Sequence, residues 1–146
     1  MSARVRRIRS EGTRWVCVVT LAALVGCGRP APPPRVDTGA REAVRAYFEG
    51  VIRKDWKALY PALHPDSRKR YTREQFALQA TAYRKRLRFE PEVVIIRSCQ
   101  EHGAEAIGRV ILTTRATRHK PRFNDAVVVR RDAGVWRVVL PDYFGR

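Results

Sequence analysis

The stretch AVRAYFEGVIRKDWKALYPALHPDSR, residues 43–68, carries the pattern that decides the fold. Its first half places apolar residues at steps of three and four, the spacing of one face of an α-helix: Val44, Tyr47, Phe48, Val51 and Ile52. Asp37 or Thr38 can cap this helix, which is predicted to begin near Gly39. Asp55 is then expected to cap a second, short helix, which Pro61 bends or shortens.

A third helix is predicted to start at Thr72, because Gln75 stands three residues later in the spacing of a capping box. Its apolar stripe consists of Phe76, Ala80, Tyr83 and Leu87. Basic residues are concentrated in its last turns, where positive charges interact favourably with the negative end of the helix dipole. The segment up to residue 88 therefore reads as three helices.

The remainder of the chain has a different pattern. The β-branched runs EVVIIRSC, AEAIGRVILTTR, DAVVVRR and VWRVVL are separated by turn residues at His102-Gly103, Lys120-Pro121 and Asp132-Ala133-Gly134. These runs predict four antiparallel strands linked by hairpins. The expected fold is α+β, with three N-terminal helices packed on a curved four-stranded antiparallel sheet.

Residues 43–68 resemble the opening of the nuclear transport factor 2-like (NTF2-like, cystatin-like or SnoaL-like) superfamily, and Lys54-Asp55-Trp56-Lys57-Ala58-Leu59 matches its turn after the long helix. RRDAGVWRVV, residues 130–139, is similar to its last two strands. The resemblance covers about residues 38–141. It implies a cone, in which a bent sheet wraps the long helix and opens toward a small molecule. The cavity-lining residues that it implies are Tyr47, Trp56, Tyr60, Phe76, Tyr83 and Trp136; the alternative is that these aromatics fill the core.

Enzymes of that superfamily, such as isomerases and polyketide cyclases, place an Asp or His in the cone as general base. The histidines of this chain do not suggest such a base, because the predicted positions are a helix end for His64, a hairpin turn for His102 and a basic loop for His119. Glu105 is the carboxylate expected within a strand and able to face inward. We therefore expect a non-catalytic ligand- or partner-binding domain, with a cone-cavity enzyme as an alternative. No spacing indicates a metal or cofactor, and Cys99 reads as a small buried hydrophobe.

The N-terminal segment has the pattern of a secretory export signal. Five arginines precede an apolar segment of about 12 residues, too short to span a ~30 Å hydrocarbon core. Its end, Leu24-Val25-Gly26-Cys27, resembles a bacterial lipobox, which implies lipidation of Cys27 after cleavage. The alternative is an ordinary signal peptide that contains Cys27. The predicted organisation is a signal peptide at 1–26, a lipidated cysteine and Pro-rich linker at 27–37, and one domain at 38–146. The domain is expected in the periplasm or at the cell surface, tethered to the cell membrane or outer membrane.

Charge suggests a second role. The chain carries 30 Lys and Arg against 14 acids, formally +16; removing five arginines and one glutamate with the signal leaves about +12. Candidate anion-binding residues are Arg68, Lys69, Arg70, Arg84, Lys85, Arg86, Arg118, Lys120 and Arg122. They predict an envelope-tethering module for anionic lipid or cell-wall polymer. An envelope protein partner and a homodimer through the sheet are further alternatives. Export and the lack of a recognition motif disfavour nucleic acid.

Overall fold

The computed structural model describes residues 38–116 and 120–145. Helices come first along this part of the chain: α1 (Ala40–Arg53), α2 (Trp56–Leu59), a 3-10 turn (Tyr60–Ala62), α3 (Pro65–Arg70) and α4 (Arg73–Arg86). Four strands follow: β1 (Val93–His102), β2 (Glu105–Thr113), β3 (Arg122–Asp132) and β4 (Val135–Val139). The α+β class and the four-stranded antiparallel sheet are confirmed. The expected count of three helices is wrong, because α3 was not predicted.

Helix α1 buries the face that its sequence predicted. Val44, Tyr47, Phe48 and Val51 are all buried, and Ile52 is half-buried beside them. Of the two predicted capping residues, Thr38 is wrong and Asp37 lies outside the described residues. Gly39, with φ of 92°, is the N-cap residue, and it has no side chain with which to cap the first turn. Thr38 does not cap because its hydroxyl is engaged with strand residues: it donates to Glu101 Oε2 at 2.8 Å.

The other predicted helix starts are confirmed. Asp55 accepts a hydrogen bond from the Ala58 amide at 3.1 Å, and α2 gives way to the 3-10 turn at the residue before Pro61. At the start of α4, Thr72 Oγ1 accepts from the Gln75 amide, and the Gln75 side chain accepts from the Thr72 amide. This reciprocal pair contributes about 1 kcal/mol to helix stability.

Helix α3 is short and polar. Pro65 occupies its first turn, where a missing N–H costs nothing, and His64 Nδ1 accepts from the Asp66 amide at 3.3 Å. Its sequence, PDSRKR, has no apolar stripe, so periodicity could not reveal it. The helix is held instead by the buried Ser67, whose hydroxyl accepts from the Leu140 amide at 2.9 Å.

The strands pair in chain order, β1-β2-β3-β4, all antiparallel. One face of the sheet packs on α1 and carries Ala106, Val110, Leu112, Val129 and Val138, which are all at most 2% exposed. The predicted hairpin turns at 103 and 133–134 are present.

Gly108, on the packed face of β2, sets the distance between helix and sheet. A Cβ built on this residue would lie 2.5 Å from a methyl carbon of Val44, well inside van der Waals contact. The missing side chain therefore lets α1 lie directly on β2.

Residues 35–146 form one compact unit, and the buried core runs from Ala40 to Phe144. In the described part of the chain, no helix has both the length and the apolar character needed to cross a bilayer. The predicted signal peptide, the linker, Cys27 and Arg118 lie outside the described residues.

Candidate functional site

A cavity of about 330 Å³ lies where α1, α4, β3 and the segment after β4 meet. That volume is at the lower end of the range usual for small-molecule pockets. Its walls are mainly aromatic and aliphatic, and Asp125 and Arg86 are its charged residues. The lining residues are Tyr47, Phe48, Tyr83, Arg86, Phe123, Asp125, Ala126, Val127, Leu140, Pro141, Tyr143 and Phe144.

Asp125 forms the polar end of this cavity. Phe123, Asp125 and Val127 line it from alternate positions of β3, because side chains two apart in a strand share a face. Tyr83 on α4 donates its hydroxyl to Asp125 Oδ2 at 2.6 Å. The other carboxylate oxygen, Oδ1, accepts from the Ala126 amide at 2.8 Å. Both bonds hold the carboxylate in one orientation.

Two tyrosine hydroxyls lie within the field of this carboxylate. Burial raises the pKa of Tyr47 above its ordinary value of 10.0, and the negative charge of Asp125 raises it further. The pKa of Tyr83 is raised by burial first, then by the charge of Asp125 and by the hydrogen bond to it. Both hydroxyls therefore remain protonated at neutral pH and can act as donors.

Arg86 and Tyr143 are exposed and mark the mouth of the cavity. The Arg86 guanidinium lies 5.8 Å from the centroid of the Tyr83 ring, in a cation–π arrangement. No ion pair joins Asp125 to a cation among the residues described here. The cavity thus has one anionic group, Asp125, and a cationic group, Arg86, at its exposed mouth.

Two of the six aromatic residues predicted to line a cavity, Tyr47 and Tyr83, line this one. Phe76 is fully buried in the core, and Tyr60 packs on it while donating to the Tyr71 carbonyl at 3.0 Å. Trp56 contacts the edge of the same Phe76 ring.

Trp136 lines a separate groove of about 310 Å³ between α1, α2 and β4. Its indole N–H donates to the Thr38 carbonyl at 3.0 Å and to the Thr38 hydroxyl oxygen at 2.9 Å. Tyr47 also lines this groove, so it stands between the two hollows.

Glu105 does not face the interior. Its neighbour Ala106 takes the buried position, and Glu105 pairs with Arg130 on the opposite face at 3.0 Å. Among the strand carboxylates, Asp125 lies on the packed face and lines the cavity, but its position was not predicted because the predicted third strand begins at this residue. The period-two pattern of Phe123, Asp125, Val127 and Val129 was the available signal.

Arg84 is a structural residue. It is 8% exposed, its guanidinium donates to the Val51 carbonyl at 2.7 Å and the Ile52 carbonyl at 3.0 Å, and it pairs with Glu90. It therefore neutralises the carbonyl end of α1 and is unavailable to an external anion.

The other basic candidates lie on separate elements. Arg70 pairs with Asp142 and donates to the Leu140 carbonyl, and Lys69 lies 3.8 Å from Asp66. Arg68, on the same helix, is half-buried. The remaining described candidates are exposed and lie at the end of α4 and at the start of β3: Lys85, Arg86, Lys120 and Arg122.

Within residues 38–116 and 120–145, no cluster of three or more His, Cys, Asp or Glu side chains could hold a metal ion. Cys99 is half-buried on β1.

No family model matches the sequence, and no curated protein matches it. Among solved structures, the chain is similar to a candidate NTF2-like transpeptidase from Campylobacter jejuni, with 15% identity and a TM-score of 0.51 over 68% of this chain and 96% of that chain. It is also similar to a SEC-C motif containing protein from Rhodopseudomonas palustris, with 13% identity and a TM-score of 0.49 over 67% of this chain and 73% of that one. The Campylobacter likeness supports an NTF2-like fold for the described domain. At this identity, the likeness shows the fold alone.

Proposed function

We propose that this chain is a cell-envelope lipoprotein whose NTF2-like domain binds a small, largely apolar molecule without transforming it. The observation that carries the binding role is the cavity between α1, α4 and β3, in which Tyr83 orients the carboxylate of Asp125. Apolar walls with one or two oriented polar groups are the usual composition of a ligand pocket.

The geometry of Asp125 favours binding over catalysis. A general base needs a carboxylate that can readily take up a proton. Both oxygens of Asp125 already accept hydrogen bonds, from Tyr83 and from the Ala126 amide, and these bonds hold the carboxylate in one orientation. Asp125 is therefore suited to hold a ligand in a fixed orientation.

The anchoring part of the proposal rests on sequence. The segment Leu24-Val25-Gly26-Cys27, the arginines before it and the prolines of residues 28–36 agree with a lipidated N-terminus followed by a spacer. Two acyl chains would hold the domain at a bilayer, within the cell envelope.

A neutral fluorescent probe tests the binding role. N-phenyl-1-naphthylamine brightens in apolar sites, and we expect it to bind residues 28–146, which contain the compact unit 35–146. Val127→Phe fills the cavity and should weaken this binding at least about tenfold, whereas Val128→Phe should leave it unchanged. Val128 is the matched control because it follows Val127 on β3 and points to the opposite face.

Circular dichroism and urea unfolding check that both variants fold. Should Val127→Phe be unfolded, Tyr143→Ala provides a second test, because Tyr143 lines the cavity while 70% exposed. Folded variants that bind the probe as well as the unaltered chain would rule out this cavity as the binding site.

An isomerase- or cyclase-type enzyme is the second candidate function, and one observation favours it. Asp125 lies in a cavity beside two tyrosine hydroxyls, Tyr47 and Tyr83, a set able to exchange protons with a bound molecule. This role predicts that Asp125→Asn abolishes turnover of a bound compound while sparing its affinity.

The anion-tethering alternative has less support. Arg84 and Arg70 are engaged within the domain, and the other described candidates are divided among α3, the end of α4 and the start of β3.

A further inference from the structure

Deepening the proposed ligand-binding role, and resting on it, we propose that the cavity takes a molecule with an apolar, ring-sized body and a protonated amine, the ammonium group lying against Asp125. The juxtaposition that carries this inference is a carboxylate whose two hydrogen-bond donors are neutral, in a cavity whose walls are mainly aromatic and aliphatic.

The first step concerns the charge of Asp125. Its two hydrogen bonds come from a tyrosine hydroxyl and a backbone amide, which are both neutral donors. Among the described residues most other carboxylates on the helices and strands have a basic partner, for example Glu105 with Arg130 and Asp132 with Arg137. A carboxylate oxygen has two lone pairs, so each oxygen of Asp125 retains capacity for another donor. A ligand cation would supply the missing counter-charge.

The second step concerns the walls. Tyr83 lies between Phe123, in edge contact at 6.2 Å, and Phe144, stacked at 5.9 Å between ring centroids. Neighbouring groups cover the faces of these rings, since Phe76 also stacks on Phe144 at 6.0 Å and the Arg86 guanidinium lies over Tyr83. The same rings bury the apolar body of a ligand. The walls thus favour an apolar body, and the carboxylate decides the sign of the ligand's charge.

The third step concerns the field inside the cavity. The charge of Asp125 contributes to raising the pKa of both Tyr47 and Tyr83, so its negative potential reaches the cavity walls on α1 and α4. A ligand carboxylate at this position would be repelled, and a neutral alcohol would gain a hydrogen bond but no charge pairing.

Arg86 provides an opposing test residue. Its guanidinium stands at the mouth, over the Tyr83 ring, and repels a cation that enters. Removing its charge should strengthen binding of an amine, whereas removing the charge of Asp125 should weaken it. If both substitutions acted only by disturbing the fold, both would weaken binding of the amine, and the effects would not have opposite signs.

The experiment compares three indoles of nearly the same size: tryptamine (an amine), tryptophol (an alcohol) and indole-3-propionate (an acid). Each displaces N-phenyl-1-naphthylamine from residues 28–146 at pH 7.5 and low salt. We expect tryptamine to act at concentrations at least about tenfold lower than indole-3-propionate, with tryptophol between them. Asp125→Asn should remove this preference, Arg86→Gln should increase it about threefold or more, and the exposed Glu42→Gln, which makes the same charge change as Asp125→Asn, should leave it unaltered.

The outcomes separate the two proposals. If the naphthylamine binds but the three indoles displace it equally, or the acid acts best, the amine proposal is overturned and the binding role stands. A folded Asp125→Asn variant that keeps the preference for tryptamine also overturns it. If the naphthylamine does not bind and calorimetry detects no tryptamine binding, both proposals are overturned.

Discussion

The guanidinium of Arg84 joins the end of α1, which is distant in sequence, to α4 itself and to Glu90 before β1. Helix ends leave carbonyl groups without intrahelical partners, and a buried helix end needs a donor to satisfy them. In a chain of net charge +16, a basic residue is easily taken for part of a binding surface. Here one member of the basic run 84–88 is part of the core, while Lys85 and Arg86 beside it are exposed.

Tyr47 provides a prediction about alkaline stability. Its raised pKa means that its neutral form stabilises the fold fully below about pH 10, its ordinary pKa, and that this contribution is lost as the pH rises above that value. We expect the free energy of unfolding to fall more steeply between pH 10 and 11.5 for the unaltered chain than for Tyr47→Phe, by up to ~1.4 kcal/mol per pH unit. Urea midpoints across this range measure the slope.

Tyr143→Phe is the control for that measurement, because it removes the same hydroxyl from a side chain that is 70% exposed. Parallel curves for the unaltered chain and Tyr47→Phe would show that ionisation of Tyr47 is not coupled to unfolding.

The position of Asp125 shows what could be predicted at the level of single residues. Its face follows from period two, since it stands two residues before the buried Val127 on the same strand. Its partner does not follow from the sequence, because Tyr83 lies 42 residues earlier on a helix whose rotation is set only by packing. The inner surface of the cavity was predictable in part, and the hydrogen bond that orients its carboxylate was not.

At the level of elements, the two-residue turn between β3 and β4 has a strained backbone. Asp132 and Val135 pair directly, leaving Ala133 and Gly134 as the two turn residues, with φ of 47° and 82°. Two successive positive φ values define a type I′ turn, which prefers Asn-Gly because alanine in this region meets its own backbone.

Ala133→Asn should therefore stabilise the domain by about 1 kcal/mol. Ala104→Asn is the matched control, since Ala104 also occupies a two-residue hairpin turn but does not have a positive φ. Urea unfolding of the two variants measures the difference. An equal effect of both substitutions would mean that side-chain solvation, and not backbone conformation, decides the stability of the turn.

The elements that the sequence predicted well have both an apolar period and a cap. Helix α4 has the stripe ending at Leu87 and the Thr72–Gln75 box, and each was predicted from local spacing alone. Helix α3 has neither an apolar stripe nor a Ser, Thr, Asp or Asn cap, and a histidine caps it instead. Its position depends on Ser67 and Leu140, a contact across 73 residues that no local pattern contains.

On the scale of the whole molecule, the predicted modification of Cys27 can be measured directly. When the full chain is expressed in a bacterium fed an alkyne analogue of palmitate, the protein should incorporate the label. Cys27→Ala should remove the label completely, because the sulfur atom of Cys27 is expected to receive the lipid. Cys17→Ala should retain the label. Labelling that persists in Cys27→Ala would contradict the lipobox interpretation, whether or not the variant is recovered in the membrane fraction.

Thr38, where the described domain begins, contacts both edge strands of the sheet: Glu101 on β1 and Trp136 on β4. A force applied to the chain on the N-terminal side of Thr38 would act on both edge strands, β1 and β4, at once. Neither strand could then separate from the sheet alone, by breaking its backbone hydrogen bonds one after another. If the domain is anchored through its N-terminus, the contacts of Thr38 with Glu101 and Trp136 would act as a mechanical clamp between the anchor and the folded domain.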